Sequence, residues 1–150
     1  MKALLALTVS TLFLAAPTWA HDLGPDIARF NAAAATKRLD SEQAVNAKLA
    51  LERAVGEMEQ ADVRMLLRIR SLTNAGFKAL GEQPAFLTSE VKRLEAALAN
   101  PKTTDAAKIA AARDIVAQLA TEMKVYTTLE NMAVDQMKQA VQLIESAPAK

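Results

Sequence analysis

Few residues in this chain have the chemical character to act as ligands or catalysts, and they fall into four groups. The only histidine, His21, follows Ala20; cleavage between the two would put an α-amine and an imidazole on one residue. That pair can chelate copper, and Asp22 offers a carboxylate beside it, but the two-armed histidine brace takes a second imidazole that the chain lacks. The plainer account of His21 is an ordinary residue at a frayed end. Beyond position 20 there are five methionines, Met58, Met65, Met123, Met132 and Met137. Their thioethers suit soft metal ions, yet methionine also serves as a flexible filler between packed helices. The third group, Arg64-Met65-Leu66-Leu67-Arg68-Ile69-Arg70, is basic and amphipathic and suits phosphate or an acidic partner; equally, the arginines complement the negative end of a helix. The fourth, Glu57, Glu59 and Asp62, could pair with nearby arginines such as Arg53, and acid–base chemistry there would require a concave pocket.

Composition removes several functions. The chain has no cysteine, which excludes disulfides, thiolate metal sites, covalent haem attachment and a thiol nucleophile. No histidine lies beyond position 21, so the Glu-x-x-His pairs of a di-iron bundle are absent. The four glycines are scattered and form no phosphate-binding loop. Residues 1–20, MKALLALTVSTLFLAAPTWA, read as a signal peptide, with Lys2 before an apolar stretch and small residues ahead of a cut after Ala20. This predicts export, with the periplasm as destination. Removing Lys2 leaves 17 basic against 17 acidic residues in 21–150, a neutral balance that favours neither nucleic acid nor anionic lipid. No later apolar run approaches the length of a membrane span.

The elements that must position these residues are helices, because alanine is abundant while glycine, proline and β-branched residues are sparse. Pro25 opens a first helix reaching Lys37, and Asp40-Ser41-Glu42-Gln43 reads as the cap of a second, the alternative being that the first helix runs through it. That second helix is expected over 41–75, with Gly76 as its stop. Ala44, Leu51, Met58, Met65 and Leu72 recur every seven residues, with Ala47, Ala54 and Ala61 three later and Arg68 breaking the row. Residues 76–103 read as a connector and appendage, with Phe77 and Phe86 as anchors and a short helix from Thr88 or Ser89 to Ala99. Thr103-Thr104-Asp105 opens a last helix over 104–146. It carries one row of Ile109, Val116, Met123, Met137 and Ile144, interrupted by Glu130, and a second of Ala112, Leu119, Tyr126, Ala133 and Ala140. Arg68 and Glu130 would meet if the long helices ran parallel and lie far apart if they run antiparallel, which a hairpin connection favours.

A signal peptide, a length near 150 residues and helical hairpins make the general form similar to small periplasmic helical chaperones of the Spy/CpxP kind. The Leu-Thr-x-x-Gln motif of that family is absent: Leu72-Thr73-Asn74-Ala75-Gly76 and Leu87-Thr88-Ser89-Glu90-Val91 both lack the glutamine. Long helices with a small appendage also resemble the minor pilus components of type IV secretion systems. The sequence therefore predicts an all-α fold, an elongated antiparallel bundle or coiled-coil-like hairpin with a small helical appendage, in a single domain over 21–150. The function expected is a non-catalytic protein-interaction module, chaperone-like or accessory to an envelope or secretion assembly, with no cofactor. Met58, Met65, Arg64, Arg68, Met123 and Glu130 are the candidate partner-binding residues. A small copper binder using His21 is the alternative. Seams left uncovered on an alanine-rich hairpin would be satisfied by a homodimer or by a third helix.

Overall fold

The structure, a computed structural model, describes residues 21–84 and 90–150. The signal peptide expected over 1–20, the anchor expected at Phe86 and the cap expected at Thr88 or Ser89 lie outside the described residues. Among the described residues there are four α-helices and no strand: α1 Gly24–Thr36, α2 Ser41–Ala79, α3 Glu90–Ala99 and α4 Ala106–Glu145. The fold is all-α, with α2 and α4 packed as an antiparallel pair, and each is about 60 Å long at 1.5 Å per residue.

Local chemistry sets most helix ends. The Asp22 carboxylate accepts from the Gly24 N–H at 2.8 Å, and Pro25 occupies the first turn of α1, where its missing N–H costs nothing. Asp40 Oδ1 accepts from the Gln43 N–H at 2.7 Å and Gln43 Oε1 accepts from the Asp40 N–H at 3.2 Å, a reciprocal capping box that separates α2 from α1. Asp105 Oδ1 caps α4 through the Ala107 N–H at 3.0 Å.

The end of α2 departs from expectation. It runs four residues past Ala75, and Gly76 is a helical residue rather than its stop. A Cβ on Gly76 would lie 2.6 Å from Leu94 Cδ2, so this glycine makes room for α3 instead of reversing the chain. Phe77, expected in the connector, is therefore buried on the last turn of α2. The true stop is Gly81, at φ 72°. The Gly81 N–H donates to the Lys78 carbonyl at 3.1 Å and the Glu82 N–H to the Phe77 carbonyl at 2.8 Å. Those two bonds form a Schellman motif, which requires the left-handed residue that glycine supplies.

The chain divides into two compact units, residues 72–116 and residues 21–71 with 117–150. In the first, Phe77, Leu80 and Leu94 are buried together with Thr73, whose hydroxyl donates to Glu90 Oε2 at 2.8 Å. The Arg93 guanidinium sits 4.2 Å from the centre of the Phe77 ring and also donates to the Gln83 carbonyl, tying the turn after α2 to α3.

In the second unit the alanine seam is the core. Ala47, Ala54 and Ala61 of α2 and Ala133 and Ala140 of α4 are buried, as are Met58, Met65, Leu119, Tyr126, Met137 and Ile144. Cross-helix pairs fix the antiparallel direction: Glu57 meets Gln136, Asp62 meets Tyr126, and Arg68 meets Glu122. Leu23 and Phe30 bring α1 onto the Ala47–Met58 stretch of α2 and the Ala133–Ile144 stretch of α4. Arg29 clasps Glu145 with two bonds of 2.7 and 2.8 Å, and Lys37 Nζ donates to the Glu145 carbonyl at 2.9 Å, serving the C-terminal end of α4. The Arg38 N–H to Pro148 carbonyl bond and the Lys150 N–H to Thr36 carbonyl bond, 2.8 and 3.0 Å, form an isolated antiparallel bridge around Lys37 and Ala149.

Candidate protein-interaction surface

The heptad rows decide which side chains can meet a partner. Alanines fill the inward seam of α2, so the helices approach closely and several large apolar residues face outward. Val45, Leu49, Val63 and Leu67 are 55%, 52%, 50% and 59% exposed, and Leu66 flanks them. All lie on α2, on the side of the helix away from the alanine seam. Isolated exposed leucines are ordinary, whereas a run of large apolar side chains at helical spacing along one face is an uncommon surface that makes it a candidate for contact with a partner.

Gly56 lies in the middle of this face. A Cβ there would meet nothing within 4 Å, so no packing among the described residues requires a glycine. Gly56 borders a shallow, largely open groove along α2, lined also by Glu59, Gln60, Val63, Arg64, Leu67 and Arg68. The groove wall is apolar along Val63 and Leu67 and basic at its far end. There Arg64 and Arg68 share one carboxylate, Glu122, at 3.5 and 3.1 Å. With the Glu59 carboxylate on the same rim, the two guanidinium groups are matched in number by two carboxylates beside the apolar strip.

The six residues singled out from sequence divide between core and surface. Met58 and Met65 are buried in the seam, filling the space opposite alanines as a flexible side chain can. Arg64 and Arg68 are exposed at the groove edge. Met123 is 38% exposed on α4. Glu130 is half-buried near Tyr126 and takes no part in the groove. Arg68 therefore pairs with Glu122 and not with Glu130, as antiparallel helices require.

Two polar contacts across the seam were not anticipated. The Tyr126 hydroxyl donates to Asp62 Oδ1 at 2.6 Å. Burial pushes the Tyr126 phenol well above its ordinary range, and the Asp62 carboxylate adds to the shift, with a smaller push from Glu130. Burial also raises Asp62, against the opposing effect of the hydrogen bond it accepts. Gln136 Nε2 donates to Glu57 Oε1 at 3.0 Å, while Glu57 Oε2 and Gln136 Oε1 are buried with no donor. Glu57 thus turns to α4, where the sequence had suggested Arg53 as its partner.

His21 Nε2 lies 3.8 Å from Asp26 Oδ2, with both side chains exposed at the start of α1. Among the described residues, no cluster of three or more histidine, cysteine or acidic side chains could hold a metal ion. No described helix is long and apolar enough to cross a membrane. No family model, curated protein or solved structure matches this chain.

Proposed function

We propose that this chain is a protein-interaction module, exported to the periplasm, that works as a chaperone-like binder or as an accessory to an envelope assembly. The observation supporting this reading is the outward face of α2: exposed Val63 and Leu67 beside Arg64 and Arg68, flanking the notch at Gly56. An apolar strip with a charged rim is the composition of a recognition surface for another amphipathic helix, with apolar contact giving affinity and the rim giving orientation. The buried alanine seam gives this face a firm support, since closely packed helices hold their outer side chains in fixed register.

The test is crosslinking in living cells followed by purification of residues 21–150 and mass spectrometry of what accompanies them. A double variant, Val63→Asp with Leu67→Asp, is run in parallel. Both positions are solvent-exposed, so the fold and its melting temperature stay close to the parent. One or two proteins in fixed ratio, lost in the variant, support an assembly accessory. A broad set of unfolded exported proteins, also lost in the variant, supports a chaperone. Identical recovery from parent and variant refutes the proposal.

A further inference from the structure

The α2 face around Gly56 is self-complementary. Seven residues on either side of the glycine stand Leu49 and Val63, and eleven residues on either side stand Val45 and Leu67. All four are apolar and about half exposed. Three residues on either side stand Arg53 and Glu59, which are exposed and of opposite charge. Offsets of three, seven and eleven all return to one side of an α-helix, so these residues share the face that Gly56 centres. A second copy turned end for end, with its Gly56 on the first, sets Leu49 against Val63, Val45 against Leu67 and Arg53 against Glu59, each contact made twice. That is the isologous pattern of a two-fold interface.

The glycine supplies the independent observation. In the interior of an exposed helix, glycine costs stability relative to alanine. Gly76 has a reason within the chain, the approach of Leu94, whereas Gly56 has open space where its Cβ would be. At a two-fold axis between crossing helices, a residue without a side chain lets the two backbones come closest. One flanking pair in this register is like-charged, Lys48 against Arg64, and each of the two has a carboxylate beside it in its own chain, the one at Arg64 shared with Arg68. Lys48 is paired with Glu52 at 3.8 Å and Arg64 with Glu122 at 3.5 Å within the same chain.

We propose that this face of α2 is the contact surface of a homodimer in which two copies cross antiparallel with the two-fold axis at Gly56. The inference rests on reading the face as an interaction surface and names its occupant as a second copy of the chain. The mature protein lacks cysteine, so single cysteines test the register directly. Mixing Leu49→Cys chains with Val63→Cys chains under oxidation yields the mixed disulfide dimer. Leu49→Cys alone does not link to itself, because the two copies of position 49 lie about 21 Å apart along the helices, beyond disulfide reach. Sedimentation equilibrium of residues 21–150 shows a reversible monomer–dimer equilibrium. Gly56→Ala raises the melting temperature of the dilute chain yet weakens dimerisation about tenfold, opposite signs that a purely structural glycine would not give.

Monomer mass at every concentration, or Leu49→Cys chains that link to themselves as readily as to Val63→Cys chains, overturns the dimer. If the dimer fails while the Val63→Asp, Leu67→Asp variant still loses a co-purifying protein, the face serves a different partner and the broader reading stands. If that loss is also absent, both fall.

Discussion

Tyr126→Phe is the cleanest perturbation of the α2–α4 seam, because it removes one oxygen and leaves the ring packing in place. The hydroxyl is 4% exposed with the rest of its residue and donates to Asp62 Oδ1 at 2.6 Å, a charge-assisted bond when Asp62 is ionised. Bonds to charged partners contribute roughly 1.5–3 kcal/mol. Asp62 is only partly buried, so water can replace some of what is lost, and the lower end applies: about 1.5–2 kcal/mol, or a melting temperature lower by about 5 °C. Urea unfolding followed by helical circular dichroism measures this.

The pH dependence supplies a second readout. The native phenol is raised above its ordinary value of 10.0, so the folded state keeps a proton that the unfolded chain gives up. A raised group stabilises fully below its unfolded value and loses that contribution as pH climbs toward the folded value. The parent should therefore lose stability above about pH 10 by up to about 1.4 kcal/mol per pH unit more than Tyr126→Phe, in which this titration is absent. Tyr126 is the one tyrosine and the only tryptophan is Trp19, so ultraviolet absorbance of residues 21–150 reports phenol ionisation without interference. It should appear together with unfolding rather than before it. A stability change below about 0.5 kcal/mol, or free ionisation of the phenol in a fully helical chain, would refute the reasoning.

Two other outcomes follow from the same geometry. Alanine at the two interior glycines of α2 should act in opposite directions. Gly56→Ala stabilises the dilute chain by about 0.5–1 kcal/mol, whereas Gly76→Ala forces a Cβ to 2.6 Å from Leu94 Cδ2 in a buried site and costs about 1–2 kcal/mol, both read by thermal unfolding. Glu57→Gln should stabilise by about 1 kcal/mol, because its new amide N–H can donate to the unpartnered Gln136 Oε1 while Gln136 Nε2 keeps its bond to position 57; a loss of stability would show that the native carboxylate has a partner the pair itself does not supply.

The parts of this fold that were legible in the sequence are those set by local chemistry or by a repeat. Asp40 with Gln43 and Asp105 cap helices through side chains two or three residues away, so their signals are complete within one turn. The row Ala112, Leu119, Tyr126, Ala133, Ala140 is buried throughout, because seven-residue spacing keeps one stripe on one side of the helix. Gly76 was misread because a glycine that ends a helix and a glycine that admits a neighbour look the same in sequence. What separates them is Leu94, 18 residues further on, and the left-handed conformation belongs to Gly81. Arg68 found Glu122 rather than Glu130 because ion pairing across an antiparallel pair depends on the register the connector imposes.

The exposed apolar face of α2 was hidden for a related reason. Leu49, Gly56 and Val63 repeat every seven residues, as the inward row does, so periodicity alone does not say which row is buried. Hydropathy points the wrong way, since leucine and valine face out and alanine faces in. Closeness of approach decides the matter: the buried alanines on both helices allow tight backbone packing at their positions, with the larger buried side chains filling the space between them.

The outer face of α2 is proposed to bind protein. A photoreactive amino acid placed at Leu67, compared with one at Thr128, also exposed, on α4, tests it most directly in cells that make the protein. The account predicts discrete crosslinked species from position 67 and none of them from position 128. Crosslinking that is absent at position 67, or the same at both positions, would contradict it.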